Sequence, residues 1–107
     1  MTRRVTLRDE RDGLDRRHLE AYLDTNGSLH IDGQDLGPGT GTVSGDGEYE
    51  WFETIAARDL PRLAALLGAL PDEGILELLE RKYRGKGSYE FQRVLRDSDI
   101  EVDLHVF

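Results

Sequence analysis

The chain has 107 residues, which suits one domain and is short for two. Its formal net charge of −8 argues against nucleic acid and anionic membrane surfaces as partners, because both are bound through clustered Lys and Arg. It has no cysteine, which excludes disulfides, thiolate nucleophiles and Cys-ligated zinc and fits a cytoplasmic location. Along the chain, Arg4 to Arg8 alternates, with Val5 and Leu7 on one side, and predicts a short strand. Asp12-Gly13 supplies a turn, and Arg16 to Asp24 alternates again, with Leu19, Ala21 and Leu23 inward and His18, Glu20 and Tyr22 outward. Asn26-Gly27 predicts a type I′ hairpin turn, after which Ser28 to Asp32 returns with Leu29 and Ile31 inward and His30 and Asp32 outward. Gly33 to Gly47, rich in Gly and holding Pro38, reads as a long loop. Glu48 to Ile55 predicts a further strand, with Tyr49, Trp51 and Ile55 on one face and Glu48, Glu50 and Phe52 on the other.

The period then changes. Asp59 is a predicted N-cap, Pro61 suits a first helical turn, and Leu60, Leu63, Ala64 and Leu67 form a stripe that Gly68 stops. Pro71-Asp72 predicts the start of a second helix, whose apolar face is Ile75, Leu76, Leu79 and Tyr83 and whose last turn is basic. Ser88 is the expected cap of a third helix carrying Phe91, Val94 and Leu95, which ends at Asp97-Ser98-Asp99. Ile100 to Val106 predicts a last strand, with Ile100, Val102, Leu104 and Val106 inward. Strands, then helices, then a strand imply a single α+β domain over residues 1–107, with three helices packed on one face of a mostly antiparallel sheet. The hydrophobic fraction is only 37%, but its patterning argues for a fold over disorder.

The distinctive feature is an acidic stretch from Ala21 to Ala57. It holds Asp24, Asp32, Asp35, Asp46, Glu48, Glu50 and Glu53 with no Lys or Arg among them. Such a run reads as a solvated face, as a docking surface for a cationic protein, or as a metal or paired-carboxylate site, and no ligand spacing supports the last. The docking reading selects Asp32, Asp35, Asp46, Glu48 and Glu50, with Trp51 or Tyr49 as an aromatic anchor if exposed; Trp51 on an inward strand position also reads as core. The competing reading is a small enzyme or metal-binding domain using His30 with Asp32 and Asp35, which requires the three to converge in a pocket. His18, His30 and His105 all fall on predicted outward positions.

Other motifs fail on spacing. A calcium loop starting at Asp24 would need Gly at its sixth position and Glu at its twelfth, where Leu29 and Asp35 stand. Gly37-Pro38-Gly39-Thr40-Gly41 and Arg84-Gly85-Lys86-Gly87-Ser88 match neither phosphate-binding fingerprint. No cofactor or metal is therefore expected. No apolar run follows the first arginines as a secretory signal requires, and none is long enough for a membrane helix. A homodimer joined through an exposed strand edge is a third expectation.

The stretch from Tyr22 to Gly39, then Glu48 to Trp51 and Asp59 to Leu63, resembles a family of small actinobacterial (Streptomyces-type) proteins to whose motifs no catalytic role attaches. In size, acidity and α+β pattern the chain also resembles immunity proteins of bacterial toxin systems. That resemblance implies a basic protein partner and no enzymatic activity.

Overall fold

The computed structural model describes residues 3–37 and 48–106. It has a five-stranded sheet in the order β1-β2-β3-β4-β5, every neighbour antiparallel, and three α-helices, which together make an α+β fold. The strands are β1 (Arg4–Asp12), β2 (Asp15–Leu23), β3 (Leu29–Leu36), β4 (Glu48–Ile55) and β5 (Asp103–Val106). A 3-10 turn (Ala57–Asp59) leads into α1 (Leu60–Leu66), followed by α2 (Ile75–Lys82) and α3 (Gly87–Asp97). The core lies between one face of the sheet and the helices. Val5, Leu7, Leu19, Ala21, Leu29, Ile31 and Ile55 meet Leu63, Leu67, Leu78, Leu79, Phe91 and Leu95, all buried. The opposite sheet face is polar, as alternation requires of a half-wet antiparallel sheet.

Several elements differ from the sequence expectations for local reasons. β1 runs on to Asp12, and its register slips between Thr6 and Arg8, so Leu7 is an inserted bulge residue. Leu7 and Arg8 are consequently both buried, although strict alternation would separate them. The β2–β3 hairpin is not a type I′ turn. Gly27 has φ +82°, whereas Asn26 is not among the residues with positive φ. Gly27 N donates to Asp24 O, Asp24 N donates to Ser28 O, and the Asp24 carboxylate accepts from Asn26 N and Ser28 N. This is the three-residue hairpin built on a type I turn and a left-handed glycine, held in shape by its first residue.

β3 also continues through Gly33 to Leu36, so the first part of the expected loop is strand; residues 38–47, including Asp46, lie outside the described residues. The second helix starts at Ile75 rather than at Pro71. Asp72 sits at φ +63°, and Glu73 accepts from Leu70 N and from the Arg81 guanidinium, so this segment forms a cap and not a helical turn. Ser88 lies inside the first turn of α3, and its hydroxyl donates to Gly85 O.

β5 differs most. Only Asp103–Val106 is strand; Ile100 is buried and Val102 partly so, but Leu104 and Val106 remain 54% and 47% exposed. Both fall on the core side, opposite Glu53 and Trp51 of β4, yet among the described residues they stay about half exposed. Among the three helices, α2 packs against β1 and β2, at the far edge of the sheet.

Candidate functional site

Of the acidic residues singled out by the sequence, Asp32 and Glu50 share the open face of the sheet and Asp35 falls on the other. Asp32 lies on the open face, in a cross-strand row with Glu20 and Phe52. Arg4 reaches over this row, 3.2 Å from Glu20 and 3.5 Å from Asp32. Burial pushes the Asp32 carboxyl above its ordinary range, against the pull of Arg4. Asp35, three residues on, falls on the opposite face, 3.2 Å from Arg17. Burial raises it too, with Arg17 and Arg8 opposing. Glu50 accepts from Gln34 at 3.0 Å. The backbone of Glu48 pairs with Leu36 at the start of β4. A stretch without cations in sequence is thus interleaved with cations in space, because β1 and β2 bring Arg4 and Arg17 beside it.

His30 does not meet Asp32 and Asp35 in a pocket. Its Nε2 lies 2.7 Å from Asp24, its Nδ1 lies 3.3 Å from the Thr54 hydroxyl, and its ring stacks on Tyr22 at 4.8 Å. His18 sits 2.8 Å from Glu20, which holds that carboxyl below its usual range. Among the described residues, no group of three His, Asp or Glu side chains is arranged to hold a metal ion.

A different place does gather chemistry. A cleft of about 380 Å³ opens between the C-terminal half of α3 and the β4–β5 edge, lined by Glu53, Gln92, Leu95, Arg96, Ile100 and Leu104 among others. Its floor is apolar, since Leu95 and Ile100 are buried in the core. Glu53 is its distinctive group. It shares the core-side phase of β4 with Trp51 and Ile55, so the strand alternation turns a carboxyl toward the helix layer. Burial raises its pKa, and a hydrogen bond from Trp51 partly offsets this.

Trp51 is itself fixed from below. It is 9% exposed, its ring is stacked on Tyr49 at 5.3 Å, and it lies directly over Gly33 of β3. A Cβ at Gly33 would come within 2.2 Å of the indole, so the cross-strand Gly–Trp pair is what lets the ring lie flat and aim at Glu53. Trp51 is therefore a core-side support of the cleft, not an exposed anchor.

Beside the cleft, Arg8 forms a second polar centre. It is 4% exposed, donates to the Ser88 hydroxyl at 2.9 Å and the Gln92 carbonyl at 2.5 Å, and lies 3.6 Å from the centre of the Tyr89 ring. It fastens α3 to β1 and orients Gln92, which also lines the cleft. The Ser98 hydroxyl is committed to the end of α3: it donates to Leu95 O and accepts from Ile100 N, so it is not a nucleophile in waiting.

Glu53 was present in the acidic run, but its inward phase was the informative signal. A lone charge at the parity of Tyr49, Trp51 and Ile55 marks a carboxyl on the core side. Gln92 and Arg96 carried no such signal. No protein-family model, curated protein or solved structure matches the chain. Among the described residues, no helix is long and apolar enough to cross a membrane.

Proposed function

We propose that this chain is a non-enzymatic protein-binding module for a basic partner, with an immunity- or antitoxin-like role as its most concrete form. The observation that carries the reading is the β5 edge, which no other backbone pairs with among the described residues. Leu104 and Val106 stand exposed next to the Glu53 cleft, on a molecule of net charge −8. Exposed apolar side chains on an open strand edge are a liability unless something covers them. The charge favours a cationic cover and a fast, salt-sensitive encounter.

The site chemistry supports binding over turnover. Glu53 has no second acid or base among the cleft-lining residues to divide the roles of proton donor and acceptor. His30, Asp32 and Asp35, which the enzymatic reading needs together, are split between two faces of the sheet.

The test is affinity capture from the source organism, followed by purification of the captured protein and remixing at low and high salt. The reading expects a partner with a basic surface and an association that weakens steeply between about 50 and 300 mM salt. A neutral or acidic partner, or a salt-independent complex, would refute it.

A further inference from the structure

The two edges of the sheet are not equivalent. At the β1 edge, Gly85 N donates to Leu7 O at 2.7 Å, and Arg3 reaches across to Glu77 and Glu80 of α2. At the β5 edge, among the described residues, no backbone group outside β4 bonds to Asp103–Val106. Among the described residues, β5 therefore presents an unpaired ladder of N–H and C=O groups on the side away from β4. Its side chains sort by face: Leu104 and Val106 on the core side, Asp103 and His105 on the open side. Asp103 is highly exposed, and the segment leading to it carries exposed Glu101. Glu53 lies directly across from Leu104 on β4.

We propose that β5 is a docking edge for an extended segment of the basic partner, which adds as a sixth, antiparallel strand and places one cationic side chain across Leu104 onto Glu53. This rests on the binding-module reading and names the segment that such a partner would present. A residue opposite Leu104 on the added strand stands two strand spacings, about 9.6 Å, from the Glu53 backbone. A lysine stem extending across Leu104 and a glutamate side chain extending toward it span that gap, and the stem packs on the exposed leucine as it does so. The next core-side residue lies against Val106 and is best apolar. The open-side residue opposite Asp103 is best cationic, since cross-strand opposite charges attract.

The cleft adds selectivity. Glu53 is held by Trp51 and lines the cleft, so a cation arriving there meets a preoriented carboxylate. Arg96 also lines the cleft and disfavours cations that do not reach Glu53 directly. Strand addition of this kind draws affinity from main-chain hydrogen bonds and specificity from alternate side chains.

The test uses the intact chain and a capped hexapeptide of sequence TVTKKT, whose valine faces Val106 and whose first lysine faces Leu104. A TVTQKT peptide and a backbone N-methylated TVTKKT serve as controls. Binding is followed by amide chemical shifts and hydrogen exchange. The proposal expects slowed exchange at the β5 amides that point away from β4, loss of binding on N-methylation, and about tenfold weaker binding to TVTQKT. Glu53→Gln is expected to weaken TVTKKT about tenfold and leave TVTQKT unchanged. Equal loss for both peptides, equal binding of the N-methylated peptide, shifts confined to the open face or to α1 and α2, or no binding at all would overturn it. If the peptide fails while a purified basic partner still binds in a salt-sensitive way, strand addition is wrong and the binding-module reading stands; if the captured partner is not basic, that reading falls as well.

Discussion

Replacing Gly33 with alanine tests the support beneath the cleft. The new Cβ would lie 2.2 Å from Cε2 and Cζ2 of Trp51 and 2.7 Å from Cδ2. Ordinary carbon contact is near 3.5 Å, so the indole must retreat by about 1.3 Å. Overpacking of this kind costs about 1–3 kcal/mol. Moving the ring also breaks its hydrogen bond to Glu53, worth about 1 kcal/mol more. Gly33→Ala is thus expected to lower stability by roughly 2–4 kcal/mol, measured by urea unfolding followed by far-ultraviolet circular dichroism. The cause is isolated by repeating the substitution in a Trp51→Val background, where the space above Gly33 is open. There Gly33→Ala is expected to cost under about 0.5 kcal/mol, giving a coupling energy of at least about 1.5 kcal/mol. Additive effects, or a loss below about 0.5 kcal/mol in the parent chain, would refute the claim that the Gly–Trp contact fixes the cleft.

Glu53→Gln is expected to stabilise the fold at neutral pH. A carboxyl whose folded pKa is raised opposes folding once it ionises, so the advantage of the amide appears as pH rises through the unfolded and then the folded pKa, and vanishes in acid; thermal unfolding from pH 3 to pH 8 checks this, and an advantage that persists in acid would contradict it. Arg8→Ala strips two charge-assisted bonds and a ring contact from a buried site and is expected to cost about 3 kcal/mol, with α3 amides the first to lose exchange protection. Leu104→Arg is expected to change stability by less than about 0.5 kcal/mol, because the side chain is exposed, while abolishing partner binding by setting a like charge opposite the partner's cationic residue. Glu73, held by Arg81, is expected to titrate at about 2, and Arg81→Ala to return it toward the ordinary glutamate range, as read by carboxyl carbon shifts.

The fold was largely legible because its signals are local. Alternation at Leu19, Ala21 and Leu23 and at Leu29 and Ile31 marks strands whose inward faces bury, and the stripe at Leu63 and Leu67 marks a helix. Where local signals compete with tertiary ones, the sequence misleads. The bulge at Leu7 inverts the parity of β1 beyond it, and Gly33 looks like a loop residue until Trp51 is seen lying on it.

The site was harder still. Charge along the chain says nothing of which strands become neighbours, and register brings Arg4 and Arg17 to the carboxylates that sequence left unpaired. The alternation of Leu104 and Val106 correctly gives their side of the sheet but not its coverage, which depends on where the helices lie. Glu53 alone was readable in principle, as a charge in the apolar phase of β4.

Hydrogen exchange on the complex with the purified partner addresses the central claim most directly. The account predicts new protection concentrated in β5 and in the cleft-lining part of α3, from Gln92 to Val106, with α1 and α2 unchanged. Protection confined to the open face around Tyr22, His30 and Asp32, or to the helices distant from β5, would contradict it.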